Sequence, residues 1–297
     1  MAFHNKNEGE CGMILKSLTR LGTPLLAVSL LCFLSQAPAS AADCTKDTLC
    51  RILTEGKLKV GVVVDYKPWG YRGANGEFMG MEPDMARDVA KTLGVAIEFV
   101  PVNSANRMVF LQQGQIDLMI ATMTDTLERR KVIGIVHPNY YSSGYNIIFP
   151  KSVTPTDWNA LKGQKICAIQ GSWYNKPAEE RFGLEYLAFP GTAEVEAALL
   201  QGRCVGWLFD DNLINVMLAD PSRKWANYHM PLPSQNDSPW GLAVRLDDLN
   251  RPWGRFMSGM LYTWHRTGQL LAWEKQNGIQ ESPFLRKSHE VTKDHLQ

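Results

Sequence analysis

Two stretches of the chain, Leu58 to Ala121 and Lys165 to Phe209, carry the same succession of apolar patterns: strand, helix, strand, helix, strand. This repeated alternation constrains the fold more than any other feature, because such units build parallel sheets covered by helices. In the first copy Leu58, Val60, Val62 and Val64 alternate with Lys59, Gly61 and Val63 as a strand. Pro68 then interrupts it, and Asn75-Gly76 marks a turn. Met85, Val89 and Leu93 recur at helical spacing, with Pro83 in the first turn and Gly94 as the stop. Val95, Ile97 and Phe99 predict a second strand. Ser104 to Gln113 predicts a short helix, and Ile116 to Ala121 a strand buried on both faces.

In the second copy Lys165 to Gln170 and Tyr186 to Phe189 are strands, with a helix over Ala178 to Phe182 between them. Thr192 is the expected N-cap of a helix carrying Val195 and Leu199 and stopping at Gly202. Val205 to Phe209 is a buried strand ending at Asp210-Asp211. Gly144 to Phe149 and Gly241 to Arg245 read as two crossovers between the copies. A long amphipathic helix (Met257, Met260, Leu261, Trp264) and the segment Leu270 to Trp273 then return to the first lobe. The expected architecture is α/β: two doubly wound lobes over 43–147 with 241–297, and 148–240. Their strand ends face each other across a cleft, the place where open α/β sheets bind ligands. A two-segment hinge of this kind permits closure.

The composition narrows function by exclusion. With 297 residues, 45% hydrophobic, 21% charged and a net charge of +1, the chain has material for two cores and no charge bias toward nucleic acid or an anionic membrane. No Cys/His spacing suits a metal, and no cofactor motif is present. Lys16 and Arg20 precede the apolar run Pro24 to Leu34, and small residues follow to Ala42. This reads as a secretory signal over 1–42, cleaved after Ala41 or Ala42, and too short for a spanning helix. Met13 is an alternative start. Loss of the signal removes Cys11 and Cys32 and leaves Cys44, Cys50, Cys167 and Cys204, an even number that favours disulfides in an exported protein.

Four stretches then carry a resemblance: VGVVVDYKPWGYRGANGEFMGMEPDMARDVAKTLG, LQQGQIDLMIATMTDTLERR, LKGQKICAIQGSWYN and ALLQGRCVGWLFDD. In this order and spacing the chain resembles the extracellular solute-binding proteins of polar amino acid ABC importers (family 3), from about Gly56 to about Leu285. The resemblance implies a type II periplasmic-binding-protein fold and no cofactor. It also implies an amino acid ligand, a membrane-embedded permease as partner, a periplasmic location and a monomer. Three cysteine pairings are open. Cys44–Cys50 would close a small loop, and the family's sheet order makes the strands of Cys167 and Cys204 neighbours.

The resemblance also assigns site residues. Arg129, eight residues past the strand, would hold the ligand's α-carboxylate, and a guanidinium forks onto a carboxylate with two hydrogen bonds. Asp125 and Glu128 are expected to form a capping box on its helix. Thr122 and Thr124 would bond the ligand with their hydroxyls, and Asp210, rather than Asp211, would pair its ammonium. Gly171 and Ser172 would form a turn touching the carboxylate, with Trp173 and Tyr174 shaping the pocket or packing. Tyr66 and Trp69 would cover the ligand, with Asp65 beside them. Arg107 would meet an acidic side chain, favouring a small polar ligand of acidic type. The segment Ile135 to Tyr141 departs from the family pattern, which leaves side-chain specificity open, and His137 reads as packed or exposed. Two other functions fit the same fold: an enzyme like the periplasmic cyclohexadienyl dehydratases, for which Glu82, Asp84 or His137 would supply acid–base chemistry, and a ligand-sensing receptor module.

Overall fold

The structure, a computed structural model, describes Cys44 and residues 47–295. The expected export signal, its cleavage site, Cys11 and Cys32 lie outside these residues. The described chain opens with α1 (Thr48–Glu55) and β1 (Lys57–Val62). Beyond Val62 it forms a small antiparallel sheet of β2 (Asp65–Tyr66), β3 (Gly70–Arg72) and β4 (Phe78–Met79). Then come α2 (Met81–Leu93), β5 (Ala96–Pro101), α3 (Arg107–Gln112), β6 (Leu118–Met119), α4 (Leu127–Arg130) and β7 (Gly134–Ile135). The second run holds β8 (Tyr141–Pro150), β9 (Lys165–Ile169), α5 (Asn175–Phe182), β10 (Glu185–Phe189) and α6 (Thr192–Leu200). It continues through β11 (Gly206–Asp210), α7 (Asp211–Leu218), β12 (Tyr228–His229) and β13 (Gln235–Trp240). The chain then adds β14 (Ala243–Val244) and the helices α8 (Pro252–Thr267), α9 (Gln269–Gln276) and α10 (Pro283–Thr292).

Two sheets result, with orders β5-β1-β6-β14-β7 and β10-β9-β11-β8-β12, β13 lying against β8. In each, the first strand of the repeat sits between the second and third and runs parallel to both. β1 is therefore central, which is why Leu58, Val60 and Val62 are all fully buried. β14 joins the first sheet, so the chain has returned to lobe one by Ala243. The expected boundary at 147 falls inside β8, which pairs over its length with β11, β12 and β13 of the second sheet. The return crossing precedes Gly241, whose N–H donates to the Met123 carbonyl of lobe one. Where the crossings meet lobe one, Trp69, Tyr141 and Trp240 pack ring against ring at 5.3–5.7 Å, a geometry favourable for aromatic pairs.

Three local expectations are corrected. The helix expected from Ser104 starts only at Arg107, because the Asn103 side chain accepts the N–H groups of Ala105 and Asn106 and holds a turn there. Ile116 to Ala121 is buried throughout, yet only Leu118 and Met119 are regular strand, since the chain bends away to Thr122 at φ +46°. Thr192 is the first helical residue rather than the cap, which is Gly191. Register places Trp207 beside Cys167, and Cys167 and Cys204 form a disulfide with Cα atoms 5.6 Å apart. Cys44 and Cys50 form the other.

Candidate functional site

The carboxyl ends of β1 and β6 face those of β9 and β11, and the residues just beyond these ends enclose a small cleft. Lobe one supplies Tyr66, Ser104, Arg107, Thr122 and Thr124, and lobe two Ser172, Trp173, Tyr174, Phe209 and Asp210. Most of these are the polar residues that the sequence singles out. Ser104 and Phe209 are additions. Phe209 could have been read from its position beside Asp210, whereas Ser104 carries no local signal.

Asp210 ends β11 and is buried, and it accepts a hydrogen bond from the Tyr66 hydroxyl across the cleft. Burial pushes its carboxyl up to about 7, against the hydrogen bond from Tyr66 and the positive charges of Arg107 and Arg129. Asp211 instead turns into the first turn of α7, where Ser143 donates to it at 2.9 Å. Tyr66 packs on Phe209 at 4.8 Å between ring centroids. Trp69 is fully buried behind Tyr66, at 6.0 Å, and its contacts are with the crossing strands rather than the cleft.

Arg107 reaches in from α3, donates to the Ala121 carbonyl and lies 3.5 Å from the Thr122 hydroxyl. Arg129 spans the lobes at the edge of the cleft: one guanidinium nitrogen donates to the Thr124 carbonyl at 2.9 Å, another to the Gly171 carbonyl at 3.2 Å. Burial first, then the neighbouring Arg107, lowers its pKa, but a guanidinium stays charged at neutral pH. The expected capping box is absent. Thr126 caps α4 by accepting from the Arg129 N–H, while Asp125 is held by Arg130 and Asn139. Glu82 lies in the first turn of α2, as the sequence suggests, but it is fully buried and bonded to the Thr122 N–H and Tyr140 hydroxyl. His137 is half-exposed and faces Asp125 at 3.6 Å, away from the cleft residues.

The lobes meet closely. Besides Tyr66–Asp210 and Arg129–Gly171, Asp65 of lobe one accepts from the Thr192 N–H at 2.8 Å, supplying the N-terminus of α6 with the acceptor that its own sequence lacks. The free volume at the centre of the cleft is about 10 Å³, room for about one water. Any larger molecule enters only when the lobes part and Tyr66 releases Asp210. Among the described residues no cluster of His, Cys, Asp and Glu suits a metal ion, and no helix is long and apolar enough to cross a membrane.

Two α/β lobes thus meet over two guanidiniums, a carboxylate and a rim of hydroxyls. The sequence model of the bacterial extracellular solute-binding proteins, family 3, matches residues 58–294, and the chain belongs to that family. It is 31% identical over 212 residues, covering 69% of this chain and 76% of the relative, to the glutamine-binding protein of an ABC transporter from Bacillus subtilis (strain 168). A crystal structure of the solute receptor for L-cysteine of Neisseria gonorrhoeae matches with a TM-score of 0.70 at 25% identity, covering 77% of this chain and 92% of that one. Cyclohexadienyl dehydratase from Pseudomonas aeruginosa is 32% identical over 105 residues, covering 35% of this chain and 38% of the enzyme.

Proposed function

We propose that the chain is the exported binding component of an amino acid ABC importer, taking a small polar amino acid in the cleft and delivering it to a membrane permease. The observation that carries this reading is the charge arrangement inside a family 3 cleft. Arg129 and Arg107 stand on the lobe-one side and Asp210 on the lobe-two side, with Thr122, Thr124 and Ser172 between them. An α-amino acid offers the complementary pair, a carboxylate for the guanidiniums and an ammonium for the carboxylate. The second guanidinium favours a ligand with a further acceptor on its side chain, acidic or amide.

The mechanism is capture by closure. In the open form lobe one presents Arg129, Thr122 and Thr124 to the ligand carboxylate. Closure brings Asp210 to the ammonium, which displaces the Tyr66 hydroxyl, and brings the Gly171-Ser172 turn against the carboxylate. Each hydrogen bond to a charged group contributes about 1.5–3 kcal/mol, and a micromolar site needs about 8 kcal/mol, so four or five such bonds suffice after ordering costs. The reading includes export by the 1–42 segment and a monomeric state.

Melting curves of the protein with each of the common amino acids test this reading. A ligand at a hundred times its Kd adds about 2.7 kcal/mol, or about 5–10 °C for a chain of this size. In Arg129→Ala, loss of two charge-assisted bonds weakens binding by at least about 150-fold and abolishes that shift. No shift with any amino acid would overturn the assignment. The likeness to cyclohexadienyl dehydratase motivates one control: cyclohexadienyl acids incubated with the protein are recovered unchanged, and turnover would replace the binding reading with an enzymatic one.

A further inference from the structure

Beneath the cleft floor lies a buried carboxylate that the capture mechanism does not use. Glu82 is fully buried. Its Oε1 accepts from the Thr122 N–H at 2.7 Å and from the Tyr140 hydroxyl at 2.5 Å, while its Oε2 is sealed from solvent without a hydrogen-bond partner among the described residues. Thr122 sits at φ +46°, a left-handed conformation that a threonine adopts only when its surroundings hold it. The Glu82 bond to its N–H is one such restraint, and it aims the Thr122 hydroxyl into the cleft beside Arg107. Arg107 is itself buried, and its Nε has no partner among the described residues.

We propose that Glu82 is a positioning residue of the cleft: it fixes Thr122 and shares the charge of Arg107 with the ligand's anionic group, so that binding of that group is linked to proton uptake at Glu82. The inference rests on the reading that the cleft takes an amino acid carboxylate. The groups facing Glu82 are Arg107 from α3, Thr122 after β6 and Tyr140 before β8, with Tyr66 within electrostatic reach. Burial raises the Glu82 carboxyl to about 7, against the opposing effects of the Tyr140 and Thr122 hydrogen bonds and of Arg107. A ligand carboxylate that engages Arg107 weakens the last of these and raises Glu82 further. Neutral Glu82 leaves Arg107 to the ligand, and ionised Glu82 competes for it. Affinity for the anion therefore falls as pH rises through about 7. Asp210 contributes the opposite linkage, losing its proton to pair an ammonium, and it is unchanged by substitution of Glu82.

The test compares wild type, Glu82→Gln and Tyr140→Phe. Gln keeps the acceptor for Thr122 and Tyr140 and removes the titration. Without ligand, wild-type stability measured against Glu82→Gln should fall between about pH 4.5 and about pH 7 and level off above. By calorimetry with L-glutamate and L-glutamine from about pH 5.5 to about 8.5, the wild-type Kd relative to that of Glu82→Gln should rise about tenfold for each unit by which the ligand raises Glu82. At high pH Glu82→Gln should bind more tightly than wild type, and at low pH the two should bind alike. Tyr140→Phe, which removes a bond holding Glu82 down, should move the midpoint upward. Parallel stability curves, or the same pH slope of Kd in Glu82→Gln, would overturn the proposal. If the stability difference appears but no amino acid of the melting screen binds either protein, the cleft reading fails and takes the linkage with it. Binding with parallel curves fails the Glu82 assignment alone.

Discussion

Gly171→Ala separates closure from folding. Gly171 has φ +79°, and a Cβ built there would lie 2.6 Å from the Ser104 carbonyl oxygen and 2.8 Å from its carbon. Ordinary Cβ contacts begin at 3.4 Å. Both obstructing atoms are backbone of the opposite lobe, so no side-chain rotation relieves the overlap. The lobes must stay slightly apart or the turn must shift, at a cost of about 1–3 kcal/mol by analogy with overpacked interiors. That cost falls on the closed form only. The left-handed backbone adds about 1–2 kcal/mol in open and closed forms alike. Gly202→Ala isolates the second term, because Gly202 has φ +70° and nothing within 4 Å of its Cβ position. Both variants should lose similar folding stability by calorimetric melting. Only Gly171→Ala should bind the amino acid found in the melting screen more weakly, by about 5–150-fold, mainly through faster release. Equal affinities in the two variants would refute the claim that the Gly171–Ser104 approach belongs to the ligand-bound geometry.

Three other outcomes are expected. Replacing Cys167 and Cys204 by Ser opens a loop of sequence separation 37 and should cost about 4 kcal/mol, or about 8–15 °C in melting midpoint; a drop under about 2 °C would show that the staple contributes little. Asp65→Ala removes the acceptor at the N-terminus of α6 and should speed ligand release about two- to tenfold by stopped-flow without changing the ligand-free melting point. Closure buries Asp210 and holds its carboxyl at about 7, above the ordinary carboxylate range. Closure without ligand should accordingly weaken as pH rises from about 4 to about 7, and Asp210→Asn should remove that dependence, read from the radius of gyration in small-angle scattering.

The two-lobed α/β fold was legible in the sequence, and the family resemblance implied the Cys167–Cys204 pairing, which the structure forms. The fold follows from periodicity and chain order, which a strand or helix writes into its own residues, whereas the pairing came from the family's sheet order. The resemblance assigned Arg107, Thr122, Thr124, Ser172 and Asp210 as candidates, and they stand at strand ends or on the helices beside them, where an α/β sheet exposes its ligand edge. The register of Asp210 against Asp211 needed the β11–β8 pairing, since a one-residue shift would have exchanged their faces.

Other features depended on residues far apart in the chain. The side-chain acceptor at the N-terminus of α6 is Asp65, 127 positions away. Glu82 looks in sequence like any acidic residue in a helix's first turn, and only the packing of Tyr140 and Thr122 against it makes it a buried partner of the cleft. Trp69 reads equally as a ligand cover or a core ring until the crossing strands bring Tyr141 and Trp240 onto it. Local pattern determined which elements form and which polar residues stand at their ends. Burial, strain and charge sharing were decided by the tertiary structure, because each is a property of atoms brought together from distant segments rather than of any one segment.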